Sequence, residues 1–436
     1  MSLAKIPVDV TKLSVGMYVS KLDRPWLETP FVFQGFEIRD RFEIEQLQAH
    51  CSYVVVDVDR GQLTEAQIRA LLQGQSKRSF PQANGSARDA GQIGFLTRVG
   101  IRFGLGGFLA LRARKNGDYP ITSTVRREAP RAREAWQRAV ERQRILFNRA
   151  RHSGTVRPEL AGKLVQPLID SILRNPDAMA WSVFSGKRSA RKYSRPVATA
   201  IWAIMFGRHL GFDRGALKEL AIGGLLLDIG NIRLPDEVVN AEGAITLEQY
   251  DEVPKHVEAG VDIVMASGAY TQRIVDMVSC HHERYDGSGY PYRLSGSKIP
   301  IFGRIAAIVD TYDAMTTRKP YLPALAAYDA ARELNDMRDK QFQGEVVEQF
   351  LQMIGMFPTG SVVELSDGTV GLVLEQNRAN PLRPKVMLLM SKNGEPFDQP
   401  RIVDMSAVRG NGAPEVFIEK GHEHGAFGID PATYFN

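Results

Sequence analysis

The chain has 436 residues, 44% of them hydrophobic and 24% charged. That is enough apolar material for two or three globular domains and too little charge bias for a disordered chain. The net charge of +5 is mildly basic; it suits acidic small molecules or surfaces and does not require a nucleic-acid partner, so no specific nucleic-acid function is expected. Two cysteines, Cys51 and Cys280, stand far apart without paired spacing, which excludes a disulfide-built secreted scaffold and fits a reducing compartment.

The first residues, MSLAKIPVDV, lack an apolar h-region, so no signal peptide and a cytoplasmic location are expected. Residues 1–72 read as a small α/β domain. Val15–Val19 is a turn into a strand, and the alternation in Phe31–Ile38 predicts a second strand. Phe42–His50 reads as a helix and Tyr53–Val58 as a third strand. Trp26 and Phe31 read as core packing.

Residues 73–125 read as a loose linker, opening with the Gln, Ser, Gly, Pro and Asn of Gln73–Gly91. Gly91–Leu111 is apolar, but Arg98, Arg102 and several glycines interrupt it. It does not read as a membrane span. A loop or packed amphipathic segment is the preferred reading, and peripheral contact with a membrane surface is the alternative. Residues 126–188 read as linker helices. In Arg126–Arg151, Ala132, Trp136, Val140 and Phe147 recur at helical spacing. Its arginines read as a solvated basic face with Glu134 and Glu141 as partners, phosphate contact being the other possibility. A second helix is expected over Leu160–Leu173.

Residues 189–356 are helical throughout by pattern. Strand signals return in residues 357–436, at Ser361–Leu365, Val370–Leu374 and Lys385–Met390. The fold class is therefore mainly α, with a small N-terminal α/β domain and a small C-terminal β appendage.

The chemistry gathers in the helical part. His281-His282-Glu283-Arg284-Tyr285-Asp286-Gly287-Ser288-Gly289-Tyr290-Pro291 places two imidazoles at the end of the apolar helix Ile274–Cys280, ahead of a glycine-rich turn. Neutral imidazoles suit Fe, Mn or Zn, and two neighbours reach one cluster only where a helix ends. Asp228 and Asp310 each follow a buried apolar run, Leu225–Leu227 and Ile305–Val309. A buried carboxylate is costly unless paired or bound to metal. Taken singly, each acid is more often a helix end or half of a salt bridge. His256 lies in a helix expected over Leu247–Met265.

Together these strings resemble the HD-GYP family over roughly Tyr193–Leu374. Residues 1–72 are similar to the domain of unknown function that often precedes HD-GYP domains, through Leu13, Gly16–Val19, Leu22-Asp23, Trp26, Thr29–Phe31, Gln34–Phe36, Cys51 and Asp59–Gly61. The resemblance implies an all-helical core and a metal centre that hydrolyses cyclic-di-GMP. Asp228, His256, His281, His282 and Asp310 fall at metal-ligand positions, with Asp228 also catalytic. Arg284, Asp286, Gly287, Gly289, Tyr290, Pro291 and Arg318 belong to a loop facing substrate or a GGDEF-type protein partner.

Three positions depart from that pattern. Leu227 stands where the family has the histidine of its His-Asp pair, and Asn231 where it has a phosphate-contacting lysine. Counting along the chain places the family's first histidine at Arg195. A divalent ion ~5 Å from a guanidinium would meet roughly 6 kcal/mol of repulsion at an effective dielectric near 20. At most one divalent ion is expected, Fe, Mn or Zn, or none; Asp310, left without an ion, either pairs with Arg195 or is capped by backbone groups while Arg195 points to solvent. The preferred reading is a non-catalytic or weakly active regulator that binds cyclic-di-GMP, a related nucleotide or a protein partner. The alternatives are a working cyclic-di-GMP phosphodiesterase and a generic HD-domain nucleotidase.

Overall fold

The computed structural model describes residues 5–23, 36–38, 41–58, 67, 119–186, 194–239, 246–317, 324–377, 380, 382–407, 416–422 and 425–434. These fall in two units, one within residues 1–92 and 379–382 and the other within residues 93–378 and 383–436.

The first unit is an antiparallel sheet in the order β1-β4-β2-β3 with one helix. Its strands are β1 (Lys5–Asp9), β2 (Tyr18–Leu22), β3 (Phe36–Glu37) and β4 (Tyr53–Asp57), and α1 spans Arg41–His50. Val8, Val19, Val54 and Val56 point to one face, as strand alternation requires. They form a core with Met17, Ile38 and Leu47 of α1. Gly16, at φ +92°, makes the turn into β2 that a residue with a Cβ would strain. Of the strand expected over Phe31–Ile38, residues 31–35 lie outside the described residues, as do Trp26 and the linker through residue 118.

The second unit opens with three helices, α2 (Val125–Ser153), α3 (Pro158–Arg174) and α4 (Pro176–Gly186). Thr124 caps α2 by accepting from Arg127 N, and Gly154 at φ 69° ends it. Ala132, Ala135, Trp136 and Ala139 supply its buried face. Across it, Glu128 is fully buried against α3, where Arg174 donates to it at 2.9 and 2.7 Å and Ser171 at 2.8 Å.

Next come α5 (Arg195–His209) and α6 (Arg214–Leu226). From Val197 to Arg208 every residue of α5 is buried; a helix apolar on all sides must run through the core. Gly224 of α6 lets the two helices approach, since a Cβ there would lie 2.8 Å from Ala200 Cα.

A 3-10 turn (Ile229–Arg233), α7 (Asp236–Val239), α8 (Leu247–Glu252), α9 (Lys255–Ala266), α10 (Gln272–Cys280), α11 (Ile301–Met315), α12 (Ala327–Asp336) and α13 (Gly344–Ile354) complete the helical part. Trp202 packs edge-on against Tyr312 with ring centres 5.4 Å apart, and Tyr312 against Phe350 at 5.3 Å. This aromatic column joins α5, α11 and α13.

The helix expected over Leu247–Met265 is broken. Pro254 has no N–H and crowds the preceding turn, so α8 stops at Glu252 and α9 starts at Lys255.

The chain ends in an antiparallel sheet, β8-β7-β6-β5-β9. Its strands are β5 (Val362–Leu365), β6 (Val370–Glu375), β7 (Lys385–Met390), β8 (Pro396–Asp404) and β9 (Ile418–His422). Two of these, β8 and β9, exceed the strands expected from sequence. The sheet is tied to α4 by Trp181 Nε1, which donates to Leu374 O at 3.1 Å, and by Thr359 Oγ1, which donates to Asp177 at 3.1 Å.

Candidate metal centre

Three chain reversals build the site. The first follows α6: Leu225 and Leu226 are fully buried, Leu227 nearly so, and the backbone then leaves the helix at Asp228. The 3-10 turn that follows lies directly on α9. A Cβ on Gly230 would fall 1.9 Å from His256 O and 2.5 Å from Gly260 N, so only glycine permits this contact. It fixes Asp228 relative to His256.

The second reversal is the break at Val253-Pro254. It places His256 in the first turn of α9, with its Nδ1 2.6 Å from Val253 O. The third is the end of α10. His281 and His282 stand in the turn just past Cys280, and His281 Nδ1 lies 2.9 Å from Val278 O.

Asp228, His256, His281 and His282 are thereby brought together, each offering a ligand atom within 4.8 Å of all the others. His256 Nε2 lies 3.2 Å from His281 Nε2 and 3.5 Å from Asp228 Oδ1; His281 Nε2 is 4.0 Å from Asp228 Oδ1. Donors around one ion at about 2.0–2.2 Å sit roughly 3–3.5 Å from their neighbours.

The donor chemistry fits a cation as well. A backbone carbonyl only accepts, so both Nδ1 atoms carry the proton. Burial holds His281 below the usual imidazole range against the pull of Asp310 and Asp228, and it pushes His282 down to about 2. The Nε2 atoms of His256 and His281 face each other across 3.2 Å. A cation between them would take both nitrogens as ligands, and the carbonyl partners are outer contacts of the kind that orient metal-binding histidines. Burial alone would raise the Asp228 carboxyl, but Arg195, His256 and His281 outweigh it and hold it below the usual carboxylate range.

The neighbouring half of the site is occupied by Arg195, the first residue of α5. Its Nη2 donates to Asp310 Oδ1 at 2.7 Å, its Nη1 is 3.7 Å from Asp228 Oδ2, and its Nε is 4.0 Å from Asp313 Oδ2. Asp310 and Asp313 are buried on α11, and Asp313 also accepts from Trp202 Nε1 at 3.3 Å. Asp310 above all, then Asp228 and Asp313, raise the Arg195 guanidinium against the cost of burial, so its charge is permanent. Asp310 thus faces a guanidinium and stands apart from the four-residue group. Leu227 is buried and offers no donor atom, and Asn231 is half-buried with no cation to present.

The loop after His282 is held by Glu283, an acid only 1% exposed. It accepts from Tyr292 N at 2.7 Å and Leu294 N at 2.9 Å. Tyr290 stacks on His282 with ring centres 4.6 Å apart, and its peptide bond to Pro291 is cis. Gly289 admits no side chain, since a Cβ would fall 2.4 Å from both Arg284 N and His282 O. Asp286 accepts from Ser288 N at 2.9 Å in a tight turn, and Gly287 takes φ +85°. Arg284 Nη1 donates to Glu283 O at 3.1 Å, and burial lowers its guanidinium. Arg318 lies outside the described residues.

Sequence reasoning gave no role to Asp313 or Glu283. The available signals were an acid three residues beyond Asp310 on an apolar helix, and an acid inside the histidine string.

Three family models match the chain in order: a domain of unknown function (DUF3391) over residues 5–161, an HD domain over residues 178–346, and a KOW domain associated with HD domains over residues 362–420. A cyclic di-GMP phosphodiesterase of Pseudomonas aeruginosa is 27% identical over 403 residues, covering 92% of this chain and 89% of that protein. A cyclic di-GMP phosphodiesterase of Thermotoga maritima is 34% identical over 145 residues, 33% of this chain and 39% of that protein. A cyclic di-GMP phosphodiesterase response regulator of Xanthomonas campestris is 30% identical over 165 residues, 36% of this chain and 44% of that protein. Among solved structures, an HDG"Y"P protein of Bdellovibrio bacteriovorus aligns with 80% of this chain and 98% of its own at a TM-score of 0.37 and 16% identity.

Proposed function

We propose that this chain, an HD domain set between a DUF3391 module and a KOW module, is a cyclic-di-GMP signalling protein. Its site holds one divalent ion and binds nucleotide or a protein partner with little or no turnover. The observation that carries this reading is the Arg195 cluster: a fixed guanidinium lies 2.7 Å from Asp310 and 3.7 Å from Asp228.

A divalent ion in such a site would neutralise phosphate charge and acidify a bound water. Asp228, His256, His281 and His282 are the residues that would hold it, and carbonyl contacts orient the His256 and His281 rings. Arg195 pairs with Asp310 on the other side and lies 4.0 Å from Asp313, so its positive charge opposes a second ion there. Arg284 and Tyr290 belong to the loop after His282, Tyr290 stacking on that ring, and a guanidinium and an aromatic ring there would suit a phosphate and a base. Asn231 cannot supply the charge that a lysine would bring to a developing phosphate anion.

A second reading, a working cyclic-di-GMP phosphodiesterase, is favoured by the complete four-residue group and by the relatives named above. Metal analysis after loading with Mn(II), together with product analysis, tests the choice. At most one ion per chain, binding of cyclic-di-GMP by calorimetry and no linear product support the regulator. Two bound ions with metal-dependent release of pGpG or GMP, lost in His281→Ala, establish the enzyme.

A further inference from the structure

Two of the three histidines that would hold an ion are oriented by backbone: His256 Nδ1 faces Val253 O and His281 Nδ1 faces Val278 O. Among the described residues no hydrogen bond fixes the half-buried ring of His282. Besides the two other imidazoles, the ring it meets is that of Tyr290, nearly parallel to it at 25° with centres 4.6 Å apart.

Tyr290 reaches that place because the chain doubles back on itself. Gly289 passes so close over Glu283 that a Cβ there would lie 2.5 Å from Glu283 Cα. Tyr290 N then donates to His282 O at 3.2 Å. A buried carboxylate holds the return. Glu283 accepts from Tyr292 N on Oε1 at 2.7 Å and from Leu294 N on Oε2 at 2.9 Å. The two amides flank Arg293, which sits at φ +53°, a conformation that residues with a Cβ seldom adopt unaided. Burying a carboxylate is costly unless hydrogen bonds satisfy it, and both oxygens of Glu283 are spent on this stretch of backbone. A carboxamide could not replace it, since its NH2 group would confront the second amide.

We infer that Glu283 is a positioning residue for the ion site. By keeping residues 289–294 folded back, it lays the Tyr290 ring on His282 and holds that imidazole turned toward Asp228, His256 and His281. The inference rests on the reading that these four residues hold an ion, and it assigns the orientation of the third histidine to an acid that touches no ion.

Two readouts on the full-length protein test this, with Glu283→Gln, Tyr290→Leu and the double variant. The first needs no metal: in EDTA, diethylpyrocarbonate should modify His282, located by mass spectrometry, severalfold faster in each variant than in the unmodified protein. The second is Zn(II) affinity. Each single variant should bind ~10-fold more weakly, the scale typical of outer contacts that orient metal ligands. The double variant should bind ~10-fold and not ~100-fold more weakly, because changes that act through one contact do not add. Should Glu283→Gln misfold by circular dichroism, Tyr290→Leu and hydrogen exchange of the unmodified protein carry the test, the Tyr292 and Leu294 amides being expected to exchange slowly. An unmodified protein that takes up no Zn(II) would sink the ion site alone, and the modification rates of His282 would still decide the positioning role. Unchanged modification of His282 in the variants, fast exchange of the two amides, or losses of affinity that multiply in the double variant, as a purely electrostatic pull of the carboxylate on the ion would make them do, each overturn the inference.

Discussion

Arg195 sits among three carboxylates, 2.7 Å from Asp310, 3.7 Å from Asp228 and 4.0 Å from Asp313. Its side chain is one-third exposed, whereas that of Asp310 is 8% exposed. Removing the cation therefore leaves buried anions without their counter-charge. Breaking a fully buried pair costs ~3–5 kcal/mol; the solvent-facing edge of Arg195 lowers that to about 2 kcal/mol. Arg195→Met is expected to melt lower than the unmodified protein in EDTA. It should also regain more stability on adding Mn(II), because the freed carboxylates are hard oxygen ligands. Thermal unfolding with and without metal checks both parts. Identical melting temperatures in EDTA would show that the guanidinium contributes nothing to cohesion.

The geometry of the site depends on how closely its elements approach, and glycine sets that approach. Gly230 allows the 3-10 turn to lie on α9, where a Cβ would come 1.9 Å from His256 O. Gly230→Ala must push the turn away, carrying Asp228 from His256. Overpacking of this kind costs ~1–3 kcal/mol or more, and affinity for Mn(II) or Zn(II) should fall tenfold or more. Gly268→Ala is the control: φ is +76° and nothing lies within 4 Å, so it should cost ~1 kcal/mol through backbone strain alone and leave metal affinity unaltered. Urea unfolding and metal titration separate the two outcomes.

The same elements show what sequence could and could not reveal. Helices α2 and α3 were legible within two residues because their apolar positions repeat at helical spacing. The site strings were legible because acids after apolar runs are conspicuous. The break at Pro254 was hidden by a helical pattern running through it on both sides. Strands β8 and β9 were hidden because they are the sheet's two edges, and the mostly exposed β8 carries no alternation to read. Asp313 was hidden because its partners, Arg195 and Trp202, lie more than a hundred residues away.

At the scale of the whole molecule, the proposed loss of turnover rests on three positions of the helical part, Arg195, Leu227 and Asn231, that depart from the pattern the sequence resembles. Hydrolysis of a phosphodiester requires an activated water and a clamp on the charge that develops on phosphate. Asp228, His256, His281 and His282 can supply one ion toward the first requirement. The second is weakened by Asn231, and a second ion is opposed by Arg195. Each lost electrostatic contact of this kind typically costs ~100-fold or more in rate, so turnover of cyclic-di-GMP by the unmodified protein is expected near background. Arg195→His, Leu227→His and Asn231→Lys made together should restore part of the activity and raise bound metal from one ion toward two. Each change alone should fail. Arg195→His by itself leaves buried Leu227 without a donor atom, and Leu227→His by itself leaves the guanidinium in place against Asp310. The measurement is cyclic-di-GMP consumption after anaerobic loading with Fe(II) or Mn(II), read beside metal content for the unmodified chain, the triple variant and the three single variants. Rapid turnover by the unmodified chain would show that a single ion beside a guanidinium suffices, and full recovery in any single variant would show that the losses do not act together.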